Sequence, residues 1–389
     1  MTSPRPTGSA PVTTPLDAPT ASPPPPRTQD DAGPATRNES ALHPSEQAPL
    51  GASPPGAPRR GAGTLAGDLL RQYSLLALLI ASVVFYATWS KTSGVFPTVP
   101  NFQNIAGSQS VLAVLTLGLL IPMVSGNLDL SVGSTAGMAS IFSAAAFAHG
   151  QVPLPIGILI GVAVGAVVGL VNGFIVTRFQ IDPFIVTLGT ASVILGIVDW
   201  YTKGLAIVQG IPQSLVTFGG SNRFGIPSTM YVLVLVGFAV WYLLEQTPFG
   251  RNLHAIGSNK AAARLVGIRV ERDTCTAFIL SGSFAGLAGV LLLARSGAGN
   301  PTVGQSFTLT AIAAAFLGAA SFKLGRLNVL GTLVAIFFLA VNITGLTFAG
   351  VSNWISEVFT GLSLVLAVAF ATVLSRPRKH KAAKDATPA

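Results

Sequence analysis

The chain has 389 residues, half of them hydrophobic and only 10% charged, with a mean hydropathy of +0.62 and a formal net charge of +9. That balance excludes an ordinary soluble domain and places the chain among integral membrane proteins. The single Cys275 lies in an apolar run and the four histidines are scattered, which excludes a disulfide framework and gives no metal-ligand spacing.

Residues 1–62 are dominated by Pro, Ser, Thr, Ala and Gly, including Pro23 to Pro26. A segment so poor in large apolar side chains cannot offset its conformational entropy, so a disordered tail is expected. No apolar run occurs before residue 74, so the start does not read as a secretory signal peptide. From residue 63 to 375 the chain reads as an all-α integral membrane domain. Its apolar segments fall near 73–89, 108–124, 133–148, 154–177, 184–201, 229–244, 274–294, 308–321, 329–347 and 354–374. About 20 helical residues span a bilayer core, so about ten transmembrane helices are expected, with the short third and eighth either re-entrant or tilted. Residues 376–389 form a basic tail.

Ten crossings put both termini on one side. With the termini inside, sixteen Lys and Arg near the segment ends face the cytoplasm, and only Lys91, Lys203, Arg223 and Arg295 lie outside. This asymmetry assigns both tails, and the long polar stretch 245–273, to the cytoplasm of a multi-pass plasma-membrane protein. It also accounts for the basic charge without any nucleic acid.

Polar residues at membrane depth come next in the chain. Gly126-Asn-Leu-Asp-Leu-Ser-Val-Gly133 separates the second and third segments, and its Asn127, Asp129 and Ser131 are candidates for a translocation pathway. A carboxylate there is costly unless donors surround it; Asp129 either caps the third helix or lines a path. Asn172 and Asn342, inside apolar helices, can bond a solute hydroxyl or a neighbouring helix. Gly157, Gly161, Gly165, Gly169 and Gly173 recur at every fourth position, which builds one smooth face for close helix packing. Asp199 to Lys203 reads as an outer interfacial anchor, with Asp199 able to pair Lys203.

Within the polar stretch 245–273, Ser258 and Asn259 suit a helix N-cap and Gly267 suits the left-handed position after a helix end. Between them Ala261, Ala262, Leu265 and Val266 share one stripe, with Lys260 and Arg264 on the other face. A helix this short needs a partner to dock on. The chain carries no phosphate-cradling Gly-x-x-x-x-Gly-Lys-Ser/Thr loop and no recognisable catalytic constellation. An ion-coupled carrier would place several ionisable groups in mid-helix, and only Asp129 and Glu357 stand as candidates.

The stretch from Phe249-Gly-Arg to Ala255-Ile-Gly-Ser-Asn259 and Ala262-Ala-Arg-Leu-Val-Gly-Ile268 resembles the coupling loop of permease subunits in ATP-binding-cassette importers, of the ribose/xylose/galactose sugar type. The Gly126–Gly133 stretch is similar to that family's Gly-Gly-Ile-Asp-Leu-Ser-Val-Gly signature, and Gly169–Phe179 and Asp182–Thr190 extend the likeness. Two departures stand out: Lys260 and Ala261 replace acidic residues before the Ala pair, and Phe322-Lys-Leu-Gly-Arg326 replaces a Gly-Gly-x-Gly. The resemblance implies a type II-like importer permease that imports a monosaccharide, or another small polar solute such as a branched-chain amino acid. It implies a separate ATPase holding the ATP and Mg, with no cofactor on this chain. It also implies an extracytoplasmic sugar-binding protein and a second permease copy, identical or similar. On this reading Gly257, Asn259, Lys260, Ala261, Ala262, Ala263, Arg264, Leu265 and Gly267 couple to the ATPase.

Overall fold

The computed structural model describes residues 72–375 apart from 324 and 353, with side chains apart from 305 and 370–375. The tails expected over 1–62 and 376–389 lie outside these residues. Each of the ten apolar segments carries a helix: α1 (Ser74–Thr88), α2 (Val99–Val124), α3 (Val132–Gly150), α4 (Leu154–Phe179), α5 (Pro183–Thr202), α7 (Ser228–Gln246), α10 (Val270–Ser296), α11 (Val303–Gly318), α12 (Val329–Phe348) and α13 (Trp354–Ser375). Among the described residues, α2, α4, α5, α7, α10 and α12 are long and apolar enough to cross a membrane. The protein is therefore a multi-pass helical membrane protein.

Three further helices and a hairpin lie between them. Helix α6 (Gln213–Gly220) precedes a two-residue hairpin, β1 (Asn222–Arg223) with β2 (Ile226–Pro227). Both turn residues, Phe224 and Gly225, have positive φ (52° and 79°), the backbone that a tight two-residue hairpin demands. Helix α8 (Pro248–Ser258) and helix α9 (Lys260–Leu265) occupy the polar stretch after α7. The sequence pattern predicts a single short helix here, between Ser258/Asn259 and Gly267. Yet α8 has a Thr247 N-cap, whose hydroxyl accepts from the Gly250 amide at 3.3 Å, and Pro248 at its first turn.

The core is built around α2 and α10, because lipid-facing helices can stay apolar outside while these two are surrounded. Leu115, Leu117, Leu119, Leu120 and Ile121 of α2 are almost fully buried, as are Phe278, Ala285 and Leu293 of α10. Against α10 lies the glycine face of α4, buried along its length. A Cβ on Gly165 would meet the Gly282 carbonyl and the Gly286 amide, and one on Gly169 the Phe278 carbonyl. The partner face is itself glycine-based, since Gly282 and Gly286 lie against the backbone of Gly165 and Gly161. Nearer the ends, Gly157 abuts the Phe147 ring, Gly161 meets Val290 and Ser143, and Gly173 meets Cys275. Backbone-to-backbone contact of this kind is how helices associate where no water drives them together.

Two other expectations meet the structure differently. Trp200 is 80% exposed at the end of α5, as an interfacial anchor would be. Asp199 and Lys203, however, form no ion pair, because Lys203 takes a left-handed φ of 51° as the C-cap and donates its backbone amide to the Asp199 carbonyl at 2.7 Å. In the turn before α12, Phe322 adopts a φ of 59°, a backbone that costs about 1–2 kcal/mol for a side chain other than Gly. Its ring offsets this by packing edge-on to Tyr73 at 5.4 Å, and its amide donates to the Gln72 carbonyl at 2.8 Å.

Candidate functional site

Helix α9 is a small projecting element held from below. Its N-cap is Asn259, whose side-chain oxygen accepts from the Ala262 amide at 3.0 Å. At its C-terminus Gly267 takes a φ of 85°. The amides of Gly267 and Ile268 then bond the carbonyls of Arg264 and Ala263, each at 3.0 Å. That pair of bonds is a Schellman closure. Arg264 pairs with Glu271 in the first turn of α10, and Lys260 reaches Gln180 at 3.5 Å.

One apolar residue anchors it. Ala263 is buried with Ile256 of α8 and Val270 of α10, with Ile268 packed alongside. The stripe read from the sequence, Ala261, Ala262, Leu265 and Val266, turns outward: Leu265 is 89% exposed and Val266 76%. Gly257 provides the inward contact. A Cβ there would strike the Val124 carbonyl and crowd Ser125, so the end of α8 rides directly on the end of α2.

That contact leads into the Gly126–Gly133 stretch, which contains a buried polar chain. Asp129 is 2% exposed. One carboxylate oxygen accepts from the Ser131 amide (2.9 Å) and hydroxyl (2.6 Å), and the other from the Ser281 hydroxyl of α10 (3.3 Å). Asp129 bonds two residues ahead and does not cap α3, whose N-cap is Ser131. The fully buried Asn172 of α4 donates to the Ser131 hydroxyl at 2.9 Å and accepts from Thr190 of α5 at 2.7 Å. From Thr190 through Asn172 and Ser131 to Asp129, each group donates to the next, and such chains reinforce their members. Gly133 lets α11 approach, its amide donating to Thr308 at 3.1 Å.

The pathway candidates thus divide. Asp129, Ser131 and Asn172 stand together. Asn127 stays local, bonded to the Ser125 hydroxyl at 2.7 Å. Asn342 sits apart on α12, bonded to Ser82 of α1 at 3.2 Å and to its own helix.

None of the five lines the cavity of about 400 Å³ that lies between α2, α10, α11, α12 and α13. Its walls carry Gln109, Ser306, Thr310, Glu357 and Thr360 among apolar residues that include Phe307. At one edge Arg295 is held by Asn104 (3.2 Å), Ser108 (3.0 Å) and the Gly219 carbonyl (3.3 Å). No pattern in the sequence marks this cavity beyond Glu357, since its polar side chains come one to three at a time from five apolar helices.

Comparison with known proteins agrees with this architecture. The family described as "Branched-chain amino acid transport system / permease component" matches residues 101–368. The chain is 36% identical over 269 residues to the ribose import permease protein RbsC of Bacillus subtilis, covering 69% of this chain and 83% of that protein. It is 34% identical over 303 residues to the Escherichia coli K12 protein of the same name (77% and 93% covered). It is 31% identical over 319 residues to the galactose/methyl galactoside import permease protein MglC of Haemophilus influenzae (78% and 94% covered). No solved structure matches. A match over most of the helical domain, and relatives aligned over nearly their whole length, establish that the chain belongs to this family of membrane permeases and is a transporter component, not an enzyme.

Proposed function

We propose that the chain is the membrane-spanning subunit of an ATP-driven importer that carries a monosaccharide across the plasma membrane. The observation that carries this reading is helix α9: capped at both ends, with Ala263 its one buried residue, and presenting Leu265 and Val266 to the outside. Such a face is the complement of a groove on another protein. With no phosphate-binding loop in the sequence, that protein is a separate ATPase carrying ATP and Mg. Relatives named as ribose and galactose permeases support a sugar cargo. So does the cavity, whose hydroxyl, amide and carboxylate groups suit sugar hydroxyls, with Phe307 available to a ring face.

In this scheme ten helices cross the bilayer, with both tails, 1–62 and 376–389, in the cytoplasm. Two permease copies, identical or similar, stand over two ATPases and receive the sugar from an extracytoplasmic binding protein. Closure of the ATPases pushes α9. The push passes through Gly257 to the end of α2 and the Asp129 chain, and the helices lining the cavity shift. Weak contacts suffice in the cavity, since tight binding midway would slow release.

Ala262→Asp tests the coupling. It places a carboxylate on the outward face of α9 without touching the buried Ala263, so the permease still folds while its ATPase no longer co-purifies and ATP-driven uptake is lost. Normal ATPase binding and uptake would remove α9 from the mechanism.

A further inference from the structure

A second polar site lies at the same end of the molecule as α9, apart from the coupling surface. A pocket of about 300 Å³ opens between the end of α7, helix α8 and the turn leading to α12. Three fixed cations line it, Arg251, Lys323 and Arg326, and a single carboxylate, Glu245, faces them. Glu245 is already engaged, its oxygen 2.5 Å from the Lys323 ammonium. Burial pushes the His254 imidazole below its ordinary range, with Arg326 and Lys323 acting the same way and Glu245 opposing. His254 therefore adds a neutral donor. Excess positive charge in a pocket is costly to maintain unless an anion shares it.

The surroundings say which anion. Glu245 shares a face of α7 with Trp241 and Tyr242, four and three residues back, and with Phe238 one turn further. These three rings are exposed at 62% (Phe238), 38% (Trp241) and 53% (Tyr242), and Phe238 packs against both of the others, with centroids 5.7 and 6.4 Å away. An exposed aromatic stripe marks the depth of the lipid headgroups. It leads straight to the cations, and Leu244 and Leu327 supply an apolar wall beside them.

We propose that this pocket binds the phosphate of an anionic membrane lipid, whose acyl chains lie along the aromatic face of α7. Lys323 is placed for it by the left-handed turn at Phe322, within the stretch where the sugar-permease pattern carries glycines. The site thus reflects this chain's departure from that pattern. It builds on the assignment of α8 and α9 to the cytoplasmic side, where basic pockets between helices meet anionic headgroups.

The test is a titration of phosphatidylglycerol into the full-length chain held in phosphatidylcholine-doped micelles, read as apparent affinity from the thermal midpoint. Wild type is expected to be stabilised by phosphatidylglycerol and not by more phosphatidylcholine. Arg251→Gln with Arg326→Gln should weaken binding about 25-fold, at about fivefold per cation removed. The control, Arg178→Gln with Arg272→Gln, removes two charges elsewhere at the same end and should bind as wild type does. Equal weakening in both doubles would mean diffuse attraction and would overturn the site. So would stabilisation by inorganic phosphate alone, which would point to a soluble anion. Midpoints without phosphatidylglycerol establish that each variant is folded. Micelles have no sidedness, so a failed titration rejects the lipid site whichever way the chain is oriented. Labelling of Leu265→Cys with a membrane-impermeant thiol reagent, in a Cys275→Ser background, tests the orientation separately.

Discussion

Replacing Gly165 by alanine adds one methyl group where α4 meets α10. Its Cβ would lie 2.8 Å from the Gly286 amide nitrogen and closer still to the Gly282 carbonyl oxygen. Both atoms are backbone, so no side chain can swing away and the helices must separate. Overpacking of this kind costs about 1–3 kcal/mol. Alanine also gains about 1 kcal/mol over glycine in a helix, which would mask part of the cost. Gly189→Ala supplies the reference, because a Cβ on Gly189 in α5 meets nothing within 4 Å and only the propensity gain remains. The difference between the two variants should therefore be about 1–3 kcal/mol, or several degrees in thermal midpoint at about 2–4 °C per kcal/mol. Melting both variants in the same detergent measures it. If Gly165→Ala melts with Gly189→Ala, at or above wild type, backbone contact between α4 and α10 is not what holds them.

Three further outcomes test other parts of the structure. Asn259→Ala should cost about 1 kcal/mol, the usual worth of an N-cap. The loss should be confined to α9, seen as faster amide exchange at Ala262 while α10 stays protected. Asp129→Ala leaves the Ser131 amide, the Ser131 hydroxyl and the Ser281 hydroxyl without an acceptor. At about 1–3 kcal/mol per buried unsatisfied group, it should melt well below Asp129→Asn, which keeps one oxygen; equal midpoints would show the chain of bonds to be idle. Leu265→Ala should leave the midpoint unchanged, since that side chain touches solvent, yet weaken ATPase docking by about 1.5–3 kcal/mol, the worth of burying a leucine. A titration of the purified ATPase reads that loss, and unchanged affinity would place the contact elsewhere.

Much of the architecture was legible because lipid simplifies the code. Long apolar runs can only be helices in a bilayer, and all ten carried one. The ends of α9 were equally plain, since Asn259 and Gly267 act through local geometry that the sequence states directly. What attaches α9 was not plain: Ala263 looks like its neighbours, and only the approach of Ile256 and Val270 distinguishes it. Helix α8 was missed although Thr247 and Pro248 announce its start, because the polar stretch around them reads as loop. The β1–β2 hairpin was hidden by chemistry, Phe224 occupying a position where Asn would have signalled the turn. Asp129, Ser131 and Asn172 drew attention as polar residues in apolar surroundings. That Asn172 joins them, and Asn342 does not, depends on which helices are neighbours. The cavity lay beyond reach for the same reason.

On the coupling role proposed for α9, the contact of Gly257 with Val124 makes an unusual hinge. A joint made of side chains can yield by a change of rotamer and dissipate a small push. Here bare main chain bears on bare main chain, so there is little slack to absorb, and under that proposal even a sub-ångström stroke at α9 would travel onward into the membrane. Bulk added at that one residue would hold the two ends apart at rest and, under the same proposal, leave a transporter that still binds its ATPase and idles.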